Sequence, residues 1–84
     1  MSVRLRADVS TTDTDNGAVL LDLRSGRYWQ LNPSAAMVLR ALLDGGVEDA
    51  VRRLTEAYAV PVERARDDAG ALLDQLVRAG LVVS

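Results

Sequence analysis

Val3, Leu5, Ala7 and Val9 alternate with Arg4, Arg6 and Asp8. Successive side chains of a strand point to opposite faces, so this period of two predicts a half-buried strand. Ser10 to Gly17 is polar and has no period, and it reads as a loop. Alternation returns from Ala18 to Arg24, with Val19, Leu21 and Leu23 on one face and Leu20, Asp22 and Arg24 on the other. Ser25-Gly26 then supplies a tight turn into a third strand, Arg27 to Asn32, and the two strands predict a hairpin.

Beyond Asn32 the period becomes helical. Asn32 suits an N-cap and Pro33 the first helical position, where a missing N–H loses no intrahelical bond. Ala36, Val38, Leu39, Leu42 and Leu43 form an apolar face until Asp44-Gly45-Gly46 breaks the helix. A second helix is predicted from about Val47, with Glu48 and Asp49 at the positive end of its dipole and Val47, Val51, Leu54 and Tyr58 as the buried stripe. Pro61 closes it. A third helix, about Pro61 to Ala79, repeats apolar residues at Val62, Ala65, Ala69, Leu72, Leu73 and Leu76 and ends at Gly80 as a C-cap. Leu81 to Val83 is expected to tuck back onto the core. Three strands followed by three helices predict an α+β domain, helices packed on one face of a small antiparallel sheet.

Composition narrows the picture. Eighty-four residues suffice for one core, so residues 1–84 are expected to form one domain. With no Phe and no Ile, that core rests on Leu, Val and Ala, and Tyr28, Trp29 and Tyr58 are the only aromatic rings. There is no Cys, hence no disulfide and no thiol chemistry, and no His, the commonest general base and metal ligand. Ser10, Ser25, Ser34 and Ser84 therefore lack a basic partner, since Lys is absent too. The chain is not expected to be an enzyme, and no cofactor is implied.

Asp13-Thr14-Asp15-Asn16-Gly17 has some likeness to a calcium loop, but that spacing needs an oxygen ligand at Gly17 and a Glu at Arg24. A solvated loop explains it better, so no metal is expected. Asp67-Asp68 fits the first half of the third helix, where carboxylates suit the dipole; pairing of Asp68 with a cationic partner is the functional alternative. The net charge of −2 carries no basic block, which argues against nucleic acid. No apolar stretch approaches the ~20 residues of a membrane span and Met1 to Thr14 has no signal-peptide core, so a cytoplasmic protein without membrane contact is expected.

The strand Arg27 to Asn32 stands out. Its adjacent rings, Tyr28 and Trp29, must face opposite sides, and as the last strand of a meander it is an edge whose unpaired N–H and C=O groups can accept another strand. Leu31 and Trp29 are expected to face the core, while the face taken by Tyr28 stays open.

Leu20-Leu21-Asp22, then Gly26-Arg27-Tyr28-Trp29, then Leu31-Asn32 ahead of a helix resembles the PqqD-like proteins, the leader-peptide recognition elements of ribosomally made, modified peptides (RiPPs). Leu39 and Leu42-Leu43 before Gly45, Ala50 to Leu54, Tyr58-Ala59-Val60, Asp68, Leu72-Leu73, Leu76 and Gly80-Leu81 continue the likeness over about Val3 to Val83. The resemblance implies a winged-helix-like fold that binds a precursor's leader as a further strand beside the third, in a cleft with the third helix. Carried over, Arg27, Tyr28, Trp29, Gln30, Leu31 and Asn32 would pair with the leader, and Ala65, Asp68, Ala69, Leu72, Leu73 and Leu76 would offer the facing wall, those turned toward the other helices serving as core. Gly70 departs from the side-chain-bearing residue expected there, at about 1 kcal/mol relative to Ala.

Within the family, a free-standing chain of this size is most similar to the recognition proteins of lasso-peptide biosynthesis. That likeness implies a leader with Tyr, Pro and Leu anchors and a transglutaminase-like cysteine protease as partner, with an ATP-dependent cyclase as a further candidate. A peptide chaperone for pyrroloquinoline quinone or another modified peptide, and a winged-helix DNA or protein interaction domain, are the alternatives.

Overall fold

The computed structural model describes residues 3–83. Its elements run β1 (Arg4–Leu5), β2 (Val9–Thr14), β3 (Gly17–Asp22), β4 (Tyr28–Leu31), α1 (Pro33–Gly45), α2 (Val47–Tyr58), α3 (Val62–Arg78) and β5 (Val82–Val83). β2, β3 and β4 make an antiparallel sheet in that order, and the three helices follow it. This is the α+β arrangement that the hydrophobic pattern predicts.

The first two segments differ from that pattern. The alternating run Val3 to Val9 is not one strand: β1 stops at Leu5, and the chain turns so that the Val9 N–H donates to the Arg6 carbonyl at 3.0 Å. The polar run expected to be a loop is largely β2, paired with β3 from Val9↔Asp22 to Thr14↔Gly17 around a two-residue turn at Asp15-Asn16. Thr11 to Thr14 is exposed throughout, so neither face selects apolar residues and the alternation vanishes. The strand is set by its β-branched threonines and its partner.

β1 instead pairs with β5 (Arg4↔Val83, Leu5↔Val82). The return of the chain end onto the core is thus a strand ladder, with Leu81 and Val82 buried. Arg6 explains the break after β1: its guanidinium donates to Asp8 (2.5 Å), Asp22 (2.5 Å) and the Gly80 carbonyl (2.7 Å). One side chain joins the first turn, β3 and the end of α3. Among the described residues Asp22 is the one buried acid, and the Arg6 hydrogen bond holds its carboxyl well below the ordinary value, at about 2.

α1 starts as predicted: Asn32 Oδ1 accepts the Ala35 N–H at 2.8 Å, with Pro33 in the first turn. Ala36, Val38, Leu39, Ala41 and Leu42 are its buried residues. α2 buries Ala50, Val51 and Leu54, whereas Tyr58, predicted to continue the stripe, is exposed where the helix ends in left-handed Ala59. α3 buries Ala65, Ala69 and Leu76, and its first residue, Val62, also lies exposed. Leu20, Leu39, Leu42 and Leu81 are the largest fully enclosed side chains. Arg66 to Glu48 links α3 to α2, and Arg40 to Asp13 links α1 to β2. Among the described residues no helix is long and apolar enough to cross a membrane.

Candidate functional site

β4 is an edge of the sheet, paired with β3 through Leu21↔Tyr28, Leu20↔Trp29, Val19↔Gln30 and Ala18↔Leu31. The Asp22 N–H donates to the Arg27 carbonyl at 2.9 Å. Antiparallel ladders alternate bonded and non-bonded pairs, so Trp29 and Leu31 spend their backbone groups on β3. The N–H and C=O of Tyr28 and Gln30 therefore point to the open side.

Side chains alternate in the complementary sense. Trp29 and Leu31 are half-buried on the helix side, and Tyr28 and Gln30 are exposed on the other. Tyr28 is 65% exposed, which places it on the outer face of the sheet, beside Leu21. Trp29 and Leu31 pack against the core yet are not sealed within it.

Between β4 and α3 lies a cavity of about 230 Å³ lined by Trp29, Leu31, Leu72, Gln75, Leu76, Ala79 and Leu81. A second, of about 180 Å³, is lined by Asn32, Ser34, Ala35, Val38, Leu54, Asp68 and Leu72. Leu72 borders both, so the two depressions adjoin along α3. Asp68, Leu72, Gln75 and Ala79 follow each other at helical spacing and make a single stripe. The floor is apolar, with Asp68 at one end and Gln75 on the rim.

Of the residues expected at the site, Trp29, Leu31, Asn32, Asp68, Leu72 and Leu76 come together here. Ala65 and Ala69 do not: both are fully enclosed in the helix core and cannot touch a ligand. Leu73 packs against the core and borders neither cavity. The physical reason is the helix period: Ala65 and Ala69 sit on the side of α3 facing the other helices, the groove stripe is rotated from them, and Leu76, buried in the core and bordering the cavity, lies where the two meet. Gln75, Ala79, Leu81, Ser34, Ala35, Val38 and Leu54 were missed. Counting seven and eleven residues on from Asp68 would have found Gln75 and Ala79; the others come from elements whose approach the sequence does not encode locally.

The opposite edge, β2, differs. Thr11, Asp13, Arg40 and Leu43 border a cavity of about 170 Å³ there, and Arg40 pairs with Asp13 across it. A charged edge of this kind is a poor template for strand pairing.

Among curated proteins, none is found to match this chain. A solved structure described as lasso peptide synthetase B1 complexed with the leader peptide aligns with a TM-score of 0.92 at 42% sequence identity, covering 100% of both chains. TbiB1 in complex with the TbiA(beta) leader peptide aligns at a TM-score of 0.85 and 24% identity, over 94% of this chain and 93% of that one, a likeness of fold. The family profile of coenzyme PQQ synthesis protein D matches residues 17–82, from the start of β3 into β5. With its edge strand, its groove along α3 and that match over most of its length, the chain belongs to the PqqD family of RiPP recognition elements.

Proposed function

We propose that residues 1–84 act as one non-catalytic recognition domain, cytoplasmic, that binds the leader region of a ribosomally made precursor as an added strand on β4. The bound leader would then be delivered to a transglutaminase-like leader protease in lasso-peptide biosynthesis. The observation that carries this reading is the pairing of a free strand edge with an apolar groove beside it, in a chain 42% identical to a protein solved with a leader peptide.

Magnitudes support the division of labour. Tyr28 and Gln30 each offer one donor and one acceptor. At roughly 0.5–1.5 kcal/mol net per hydrogen bond, these supply about 2–6 kcal/mol, short of the ~8 kcal/mol of a micromolar complex. The remainder has to come from apolar side chains entering the groove, at about 1.5–3 kcal/mol for each one fully buried. An added strand puts alternate side chains on the Trp29 and Leu31 side, directly over the groove. Backbone pairing thus holds the register while Leu72, Leu76 and Leu31 hold the anchors.

Amide hydrogen exchange tests the geometry. On addition of the leader peptide bound by the 42%-identical B1 protein, the Tyr28 and Gln30 amides should become protected, while those of Trp29 and Leu31 change little. Binding without protection of Tyr28 and Gln30 would remove strand addition from the reading. The DNA-binding alternative is weakened by Arg52 and Arg53, whose guanidiniums are held by Asp49, Glu56 and Asp44.

A further inference from the structure

Among the described residues, eight of the ten arginines hold a carboxylate in an ion pair. Arg27 holds none among the described residues, although Asp22 stands opposite it, bonded through the Arg27 carbonyl. The Asp22 carboxylate is already committed to Arg6 at 2.5 Å and to the Arg24 N–H at 3.0 Å. The Arg27 guanidinium lies instead over the Trp29 ring, 5.3 Å from its centroid. A cation–π contact uses none of the guanidinium's N–H groups as hydrogen-bond donors to a carboxylate, so these stay available to meet one. Arg27 lines neither cavity, but Trp29 is a wall of the one between β4 and α3, so this uncommitted cation is held beside the groove through that ring.

We propose that Arg27 is a specificity residue that selects an acidic side chain in the bound peptide, an inference that rests on the groove being a peptide site. Arg27, Trp29 and Leu31 share one face of the edge strand. A peptide residue opposite Arg27 therefore lies two residues from the one whose apolar side chain enters beside Trp29. Antiparallel pairing, the mode of the whole sheet, makes the peptide run from the Asp68 end toward the Arg27 end. The acid then falls two residues C-terminal to the apolar anchor, giving the pattern apolar-x-Asp/Glu. At the other end of the groove stands Asp68, already paired with Arg64 at 3.9 Å, which offers an acid no donor, so a reversed peptide leaves its carboxylate without a partner and Arg27 sets the direction.

Selection from a phage-displayed random dodecapeptide library, run on the whole chain and on Arg27→Lys, Arg27→Gln and Arg27→Glu, tests this. Circular dichroism of each variant checks that it is folded. The expected result is an acid at that spacing on the wild type and on Arg27→Lys, no preference on Arg27→Gln, and a basic residue there on Arg27→Glu. A peptide selected on the wild type should bind Arg27→Gln about three- to ten-fold more weakly, the scale of a partly exposed charge-assisted contact. Enrichment of the same apolar anchors with no acidic preference, or equal affinity for wild type and Arg27→Gln, overturns the role of Arg27 and leaves the groove intact as a peptide site. Failure of the folded wild type to enrich any peptide overturns both.

Discussion

Replacing Leu72 by Asp probes the groove at the one residue common to both cavities. In the free protein Leu72 is half-buried against the core, so its loss should lower stability by about 1 kcal/mol, a fraction of the value for a fully buried Leu. In the complex the new carboxylate would be covered by the peptide. Burying a polar group without a partner costs about 1–3 kcal/mol, which is roughly a 5- to 150-fold loss of affinity. Fluorescence anisotropy with a labelled leader measures the affinity, and a urea melt on the same sample measures the stability. Leu73→Asp is the paired control: Leu73 also packs on the core but borders neither cavity, so it should lose stability and keep affinity. Full affinity in a folded Leu72→Asp, or equal losses in the two variants, would refute the placement of the peptide along α3.

Other predictions rest on separate features. At Gly17, φ is +132° and an added Cβ would stand 1.9 Å from the Leu31 carbonyl oxygen; Gly17→Ala should lower stability by more than about 2 kcal/mol and weaken peptide binding by shifting the end of β4, both read by urea melts and anisotropy. Gly70 faces open space within α3, so Gly70→Ala should raise stability by about 1 kcal/mol in the same melts. The Asp22 carboxyl, held to about 2 by Arg6 against an ordinary value of 3.8, contributes stability that is present above the ordinary value and lost as pH falls through the folded one. Calorimetry should show the wild type losing melting temperature more steeply than Asp22→Asn between about pH 4 and pH 2; parallel profiles would contradict it.

The chemistry of single positions was legible in the chain. Asn32-Pro33 marked the start of α1, and Gly80, at φ +73°, the reversal just after α3, whose cap is Ala79 rather than the glycine, because caps depend on backbone groups within a few residues. The helices were legible for the same local reason, their period being imposed by one continuous core. β2 was not, because its residues lie at the margin of the sheet, where neither face is buried and polar threonines satisfy both. Val3 to Val9 read as one strand because alternation records only which face is buried; it cannot record that Arg6 leaves the ladder to bind Asp8, Asp22 and Gly80.

The sequence by itself determined that an antiparallel sheet precedes three helices, a core of small apolar residues, the absence of the usual catalytic side chains, the β3–β4 hairpin, and β4 as the strand of interest. These follow from composition and from periods of two and 3.6, which each segment expresses alone. Only the tertiary structure decided which stripe of α3 is core and which is groove, that Tyr28 turns outward, and that Arg27 has no acid beside it among the described residues while Asp22 opposite it is claimed by Arg6. Those outcomes depend on the angle at which α3 crosses β4 and on competition among distant side chains for one carboxylate, and neither is written in any local run of residues.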